Sequence, residues 1–224
     1  MDDLFTGMAR FRAEIFPQQQ PLYQKLATDG QQPQALVISC ADSRVVPELI
    51  TQSGPGQIFC CRNAGNIVPP FSQANGGVSS AIEYAVVALG VRDIVVCGHS
   101  DCGAMKGLLH PEALRDMPNV AAWLRHSHAA HRVVCEAYPP DRGEPETLRA
   151  LALENVVAQL NHLRTHPSVA AGIAQGRLRL HGWFFELESG DTLAYDGAAG
   201  RFARIDESGG LPVALPPMPR LAAE

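Results

Sequence analysis

The sequence predicts an α/β protein: a mostly parallel β-sheet flanked by helices, with an N-terminal helical arm and an antiparallel edge strand. Three observations carry this reading. Short continuous apolar runs, such as Ala35 to Ser39 and Asp93 to Cys97, lack the alternation of a half-exposed strand and read as strands buried on both faces. Stretches of helical periodicity separate them, and strands alternating with helices build a parallel sheet. The chain of 224 residues is 46% hydrophobic and 18% charged, which suits one core and argues against disorder.

Taken in order, residues 1–30 form the arm. Leu4, Met8, Phe11 and Ile15 fall three and four apart and make one apolar stripe, which Pro17 and Pro21 are expected to interrupt. So short an amphipathic helix has little to bury against before the first strand, so it packs either on its own domain or on a partner subunit. Ala35 to Ser39 is the first strand, and Ile58 to Cys61, after Pro55-Gly56, the second. Over 77–89, Val78, Ile82, Ala85, Val86 and Leu89 share a helix face that Gly90 terminates. Asp93 to Cys97 is the third strand. Residues 117–137 and 145–165 read as helices, the second opening on Pro145. Residues 178–187 make a fourth strand, and Ser189-Gly190 turns the chain into 192–196 as the edge. The main domain spans 31–207, and 208–224, rich in Pro and Gly, is expected to be an extended tail.

Net charge is −5 with no Lys/Arg cluster, so neither nucleic acid nor an anionic membrane is an expected partner. No apolar leader follows Asp2 and Asp3, and no run reaches membrane length, so a cytoplasmic protein is expected. Six cysteines are too few for a disulfide scaffold. Cys60, Cys61, Cys97 and Cys135 read as packing residues, and the other two read differently.

Two segments follow directly on buried strands: Cys40-Ala41-Asp42-Ser43-Arg44 and Gly98-His99-Ser100-Asp101-Cys102-Gly103. Ligands gather at the C-terminal strand ends of open α/β sheets, so both can converge. His99 and Cys102, three apart, reach one ion from a single turn, and Cys40 adds a third donor. Two thiolates and an imidazole suit Zn2+, one per subunit, and three protein donors leave a fourth tetrahedral position open. Asp42 stands two residues from a ligand, where it can accept a hydrogen bond from zinc-bound hydroxide while Arg44 keeps it ionised. His126, His128 and His131 read as solvated histidines on a helix face.

The motifs C-A-D-S-R, R-N-A-G-N (Arg62 to Asn66), I-E-Y-A (Ile82 to Ala85) and G-H-S-D-C-G resemble those of the β-class carbonic anhydrases over roughly residues 30–196. With P-E-L at Pro47 to Leu49 and L-H-G-W at Leu180 to Trp183, the chain looks nearest to the plant-type bacterial members encoded beside cyanase. The resemblance implies Cys40, His99 and Cys102 as zinc ligands and Asp42–Arg44 as the catalytic dyad. It implies hydration of carbon dioxide to bicarbonate in a homodimer unit, with tetramer or octamer possible. It further implies Gln31 pointing an amide at substrate, Phe59, Ala64 and Tyr84 as an apolar wall shared across the dimer, and the Gly103 N–H as a donor to a substrate oxygen. Read without the family, Phe59 and Tyr84 are core residues and Gln31 a loop residue. Members inhibited cooperatively by bicarbonate carry a Trp three residues before the first Cys, working with an Arg and a Tyr. Arg62 and Tyr84 match the latter two, but Val37 stands at the Trp position, so no bicarbonate-driven closure is expected.

Rivals are a relative acting on carbonyl sulfide or carbon disulfide, and a non-catalytic zinc module, which would not need the Asp42–Arg44 pair. A dinucleotide-binding domain fails for want of G-x-G-x-x-G after the first strand.

Overall fold

A computed structural model describes residues 1–72 and 76–205. Its centre is a six-stranded sheet ordered β2-β1-β3-β4-β5-β6. Strands β1 (Ala35–Cys40), β2 (Ile58–Asn63), β3 (Asp93–His99) and β4 (Arg179–Phe185) pair in parallel. Strands β5 (Thr192–Asp196) and β6 (Arg201–Arg204) add on antiparallel. The stretch expected as the edge is thus internal, and β6 is the edge. Arg201 and Arg204 keep it from being an apolar run, and charge at an exposed edge is what keeps such a strand from pairing with other chains.

The helices are α1 (Asp2–Arg10), α2 (Phe16–Asp29), α3 (Pro47–Ile50), α4 (Gly77–Glu83), α5 (Gly103–Leu109), α6 (Pro118–Leu124), α7 (His128–Ala137), α8 (Glu144–Leu163) and α9 (Pro167–Ala174). Pro17 and Pro21 do not break the arm. A π-turn, Phe11–Ile15, joins α1 to α2, which places Pro17 in the first turn of α2, where its missing N–H has no role. Pro21 removes one interior bond, and on this exposed arm water can take the freed carbonyl. No residue of α1, the π-turn or α2 is buried. Leu4, Phe5 and Met8 are 65%, 60% and 65% exposed, so this part of the apolar stripe is left uncovered by the described residues.

The helix expected over 117–137 divides at a 3-10 turn, Arg125–Ser127, because Ser127 turns inward to hydrogen-bond the buried Asn155. His126 lies in that turn, edge-on to Trp123 with ring centroids 5.6 Å apart, rather than on a solvated helix face. The 77–89 helix continues past Glu83 as a π-turn, Tyr84–Ala88, with Val78, Ile82, Ala85 and Val86 buried, and ends where Gly90 adopts φ +65°.

Leu36, Ile38, Ile94, Val96 and Leu180 face one side of the sheet and pack on α4 and α8. Val37, Val95 and Cys97 face the other, with Trp183 and Phe185. Gly98 and Gly182 let α8 approach: a Cβ at either would stand 2.7 Å or 2.9 Å from Val156 methyls. Cys97 is buried and Cys60 and Cys61 half-buried, as expected of packing residues. Cys135 is exposed: α7 turns Ala130 and Val134 inward, and the next residue is rotated by about 100° away from them. The tail, 208–224, lies outside the described residues.

Candidate metal centre

Strand β1 has β2 on one side and β3 on the other, so the chain leaves it in opposite directions and opens a crevice at the strand ends. Cys40 ends β1 and His99 ends β3. Beyond His99 the chain turns sharply. The Ser100 N–H donates to the Phe185 carbonyl (3.0 Å), its Oγ accepts from the Leu187 N–H (2.8 Å), and Asp101 adopts φ +57°. Cys102 then caps α5. The donor atoms of Cys40, His99 and Cys102 all lie within 4.8 Å of one another, and the three residues are 5%, 0% and 1% exposed.

The chemistry of this set fits a metal cation. His99 Nδ1 donates to the Ser100 carbonyl at 2.8 Å, which leaves the lone pair on Nε2, and Nε2 is buried with no hydrogen-bond partner. A buried ring nitrogen in that state costs free energy unless something binds it. The two sulfurs resist ionising together. Cys40 is pushed toward the thiolate, chiefly by a hydrogen bond from Cys102 that outweighs burial, with the Gly65 N–H (3.4 Å) assisting. Cys102 is raised in turn by Cys40 and by burial. A cation between them would stabilise both as thiolates.

Asp42 lies at the mouth of this cluster, its Oδ2 4.0 Å from His99 Nε2. Arg44 grips it in a fork, Nε to Oδ1 at 2.9 Å and Nη2 to Oδ2 at 2.8 Å. These bonds outweigh desolvation and keep Asp42 ionised well below the usual carboxylate range. Arg62 ties the strand end together by donating to the carbonyls of Cys40 (3.1 Å) and Asp42 (2.8 Å).

A buried polar network from α8 supports the next loop. Asn155 Nδ2 donates to the Gly65 carbonyl (3.0 Å), and its Oδ1 accepts from Ser127 Oγ (2.7 Å) and Gln159 Nε2 (2.8 Å). Gln159 Oε1 accepts from the Val68 N–H (2.8 Å). Trp123 Nε1 donates to the Ala64 carbonyl (2.9 Å). None of these was read from the sequence. The signal for two of them was there: Asn155 and Gln159 are amides four apart on an otherwise apolar helix face. Asp101 falls within the segment Gly98 to Gly103.

The structure brings Cys40, Asp42, Arg44, His99 and Cys102 together. Ala64 and Gly103 flank them: Ala64 precedes the Gly65 whose N–H reaches Cys40, and Gly103 opens α5 with free space around its Cα. Gln31, Phe59 and Tyr84 are elsewhere in the chain. Gln31 is exposed four residues ahead of β1, before the end of the strand opposite Cys40, and β1 itself spans roughly 17 Å. Phe59 is in register with Leu36, at the far end of β1, and its ring lies 6.0 Å from that of Tyr84, which is 52% exposed. Tyr84 thus adjoins Phe59, which packs on the sheet face that carries Leu36, whereas Val37 lies on the opposite face in a cluster with Val95 and Cys97.

The fold and the site thus define an open α/β sheet with a buried Cys-His-Cys donor set and a carboxylate–guanidinium pair at its switch point. A carbonic anhydrase family model matches residues 35–192. A carbonic anhydrase of Pseudomonas aeruginosa is 51% identical over 207 residues, covering 92% of this chain and 93% of that protein. The structure of the β-carbonic anhydrase CcaA superposes with a TM-score of 0.91 at 43% identity, covering 97% of this chain and 96% of the other. Tetrameric β-carbonic anhydrases of Sordaria macrospora match with a TM-score of 0.68 at 30% identity, over 91% and 92% of the two chains. The chain belongs to the β-class carbonic anhydrases, and with them it is an enzyme of the lyase class.

Proposed function

We propose that the protein catalyses reversible, zinc-dependent hydration of carbon dioxide to bicarbonate and a proton, with Cys40, His99 and Cys102 as the zinc ligands. The observation that carries the metal is the buried, unpartnered Nε2 of His99 facing two sulfurs. When bound, zinc supplies Lewis acidity that makes a water molecule nucleophilic near neutral pH. The ionised Asp42 accepts a hydrogen bond from the reacting water, which turns a lone pair toward the carbon of the substrate. Having no proton to give, Asp42 admits water and bicarbonate and discriminates against anions that cannot donate to it. Arg44 holds Asp42 in that state.

The substrate pocket is completed by a second subunit. In one chain Phe59 pairs near the end of β1 opposite Cys40, Tyr84 lies beside Phe59 and Gln31 precedes that end, so a second subunit is what would bring them to the substrate beside Ala64 and Gly103. A homodimer unit, with tetramer or octamer as its multiples, is supported by the bare apolar stripe of the arm and by the tetrameric relatives. Free thiols support a reducing compartment, the cytoplasm, and no described helix is long and apolar enough to cross a membrane.

Stopped-flow hydration of carbon dioxide between pH 6.5 and 9, before and after chelation, tests this reading. Two thiolates offset the charge of the cation, so the rate is expected to climb through mildly alkaline pH and to be lost with the metal. Bicarbonate is expected to inhibit without cooperativity, since Val37 stands where cooperatively inhibited members carry a Trp. A metal-loaded protein inactive at every pH would overturn the proposal.

A further inference from the structure

We propose that Asp101 is a positioning residue for this reaction: it clamps the guanidinium of Arg44 and through it fixes the orientation of Asp42. The inference rests on the proposed function, in which Asp42 orients the reacting water.

An arginine two residues from its carboxylate partner and 49% exposed is weakly held by that partner alone, because solvent competes for the same donors. Arg44 spends one edge of its fork, Nε and Nη2, on Asp42. Its other edge is spent on Asp101: Nη1 donates to Asp101 Oδ2 at 2.9 Å, and Nη2 to the Asp101 carbonyl at 3.2 Å. A planar group gripped on both edges can neither rotate in its plane nor swing to solvent without breaking bonds at both ends.

Asp101 is itself fixed. Its second carboxylate oxygen is paired with Lys106 Nζ on α5. Its backbone lies in the left-handed region, φ +57°, which Asp tolerates better than most residues, and in that conformation its own carbonyl accepts from Arg44. The result is a row of alternating charge, Lys106, Asp101, Arg44, Asp42, anchored at one end on α5 and at the other on the segment after β1. The turn that carries two of the three metal donors thereby also sets the carboxylate beside them.

Two variants separate side chain from backbone. Asp101→Gly removes the carboxylate while keeping the φ and the carbonyl contact. Asp101→Asn keeps an oxygen for Arg44 and tolerates the same φ. Both are made in the wild-type and Arg44→Ala backgrounds, and the zinc-loaded proteins are assayed for kcat, KM and zinc per chain. Asp101→Gly is expected to lower kcat about tenfold with KM and zinc content unchanged, and Asp101→Asn to recover most of that loss. In the Arg44→Ala background Asp101→Gly is expected to cost nothing further. An equal, additive loss in both backgrounds, or a loss of zinc on removing the carboxylate, would overturn the clamp while leaving the proposed function standing. Full activity of Arg44→Ala on its own would instead remove the dyad reading beneath it, and the clamp with it.

Discussion

Replacing Asn155 by alanine removes the centre of the α8 network, and its consequence can be worked from the contacts. The side chain is 1% exposed and makes three hydrogen bonds. Its loss leaves the Gly65 carbonyl and Ser127 Oγ without partners, whereas Gln159 Nε2 keeps a long contact to the His126 carbonyl at 3.5 Å. Each orphaned buried group costs roughly 1–3 kcal/mol, so two of them destabilise by about 3 kcal/mol, a large share of a typical domain's stability. The same loss slackens the loop that presents the Gly65 N–H to Cys40 at 3.4 Å. Outer-shell losses of this kind weaken metal binding by roughly 10- to 100-fold. Urea unfolding at a common m-value reads the first effect, and competition with a chromophoric chelator reads the second. A stability loss below about 1 kcal/mol together with unchanged metal affinity would refute the claim that this network supports the centre.

Three further outcomes are expected. Gly98→Ala forces a methyl against Val156 Cγ2, 2.7 Å from the ideal Cβ position, with Phe184 behind it. Thermal unfolding should show about 1–3 kcal/mol of destabilisation, and no change would mean α8 shifts freely. Burial alone would raise Asp93, but its hydrogen bonds to Arg179 and His181 outweigh this and hold it below its ordinary value. Its contribution, about 1 kcal/mol because Arg179 is largely exposed, is therefore present above the unfolded value of about 3.9 and fades as pH falls through the lower folded value. Asp93→Asn should be less stable than the parent at pH 7 and converge with it in acid, and a gap that widens in acid would reverse the sign. Burial pushes the Cys60 and Cys97 thiols up to about 12 and raises Cys61, whereas Cys135 is exposed. In the metal-loaded native protein a thiol reagent at pH 8 should modify Cys135 first, and Cys135→Ser should abolish that phase.

What could be read along the chain is what short-range chemistry encodes. Continuous apolar runs bounded by Gly and Pro specify buried strands, and the three-residue spacing of His99 and Cys102 places two donors on one turn. Asp42 and Arg44, two apart, pair across a bend of their own segment. Cys40 joined them because a donor at a strand end has one place to point in an open α/β sheet. Beyond this, packing decided. The helix runs through Pro17 and Pro21 because a π-turn shifts its register, which no local preference announces. Strand β6 pairs because β5 offers it an open edge, and Ser127 bends a helix because Asn155 waits beneath it. The Asp101 clamp and the Asn155–Gly65 bond join residues 57 and 90 positions apart. Such contacts depend on which strand ends the topology brings level, a property of the assembled sheet rather than of any stretch of sequence. For the same reason Gln31, Phe59 and Tyr84, similar in pattern to pocket residues, lie in one chain at the far end of the strands from the metal donors.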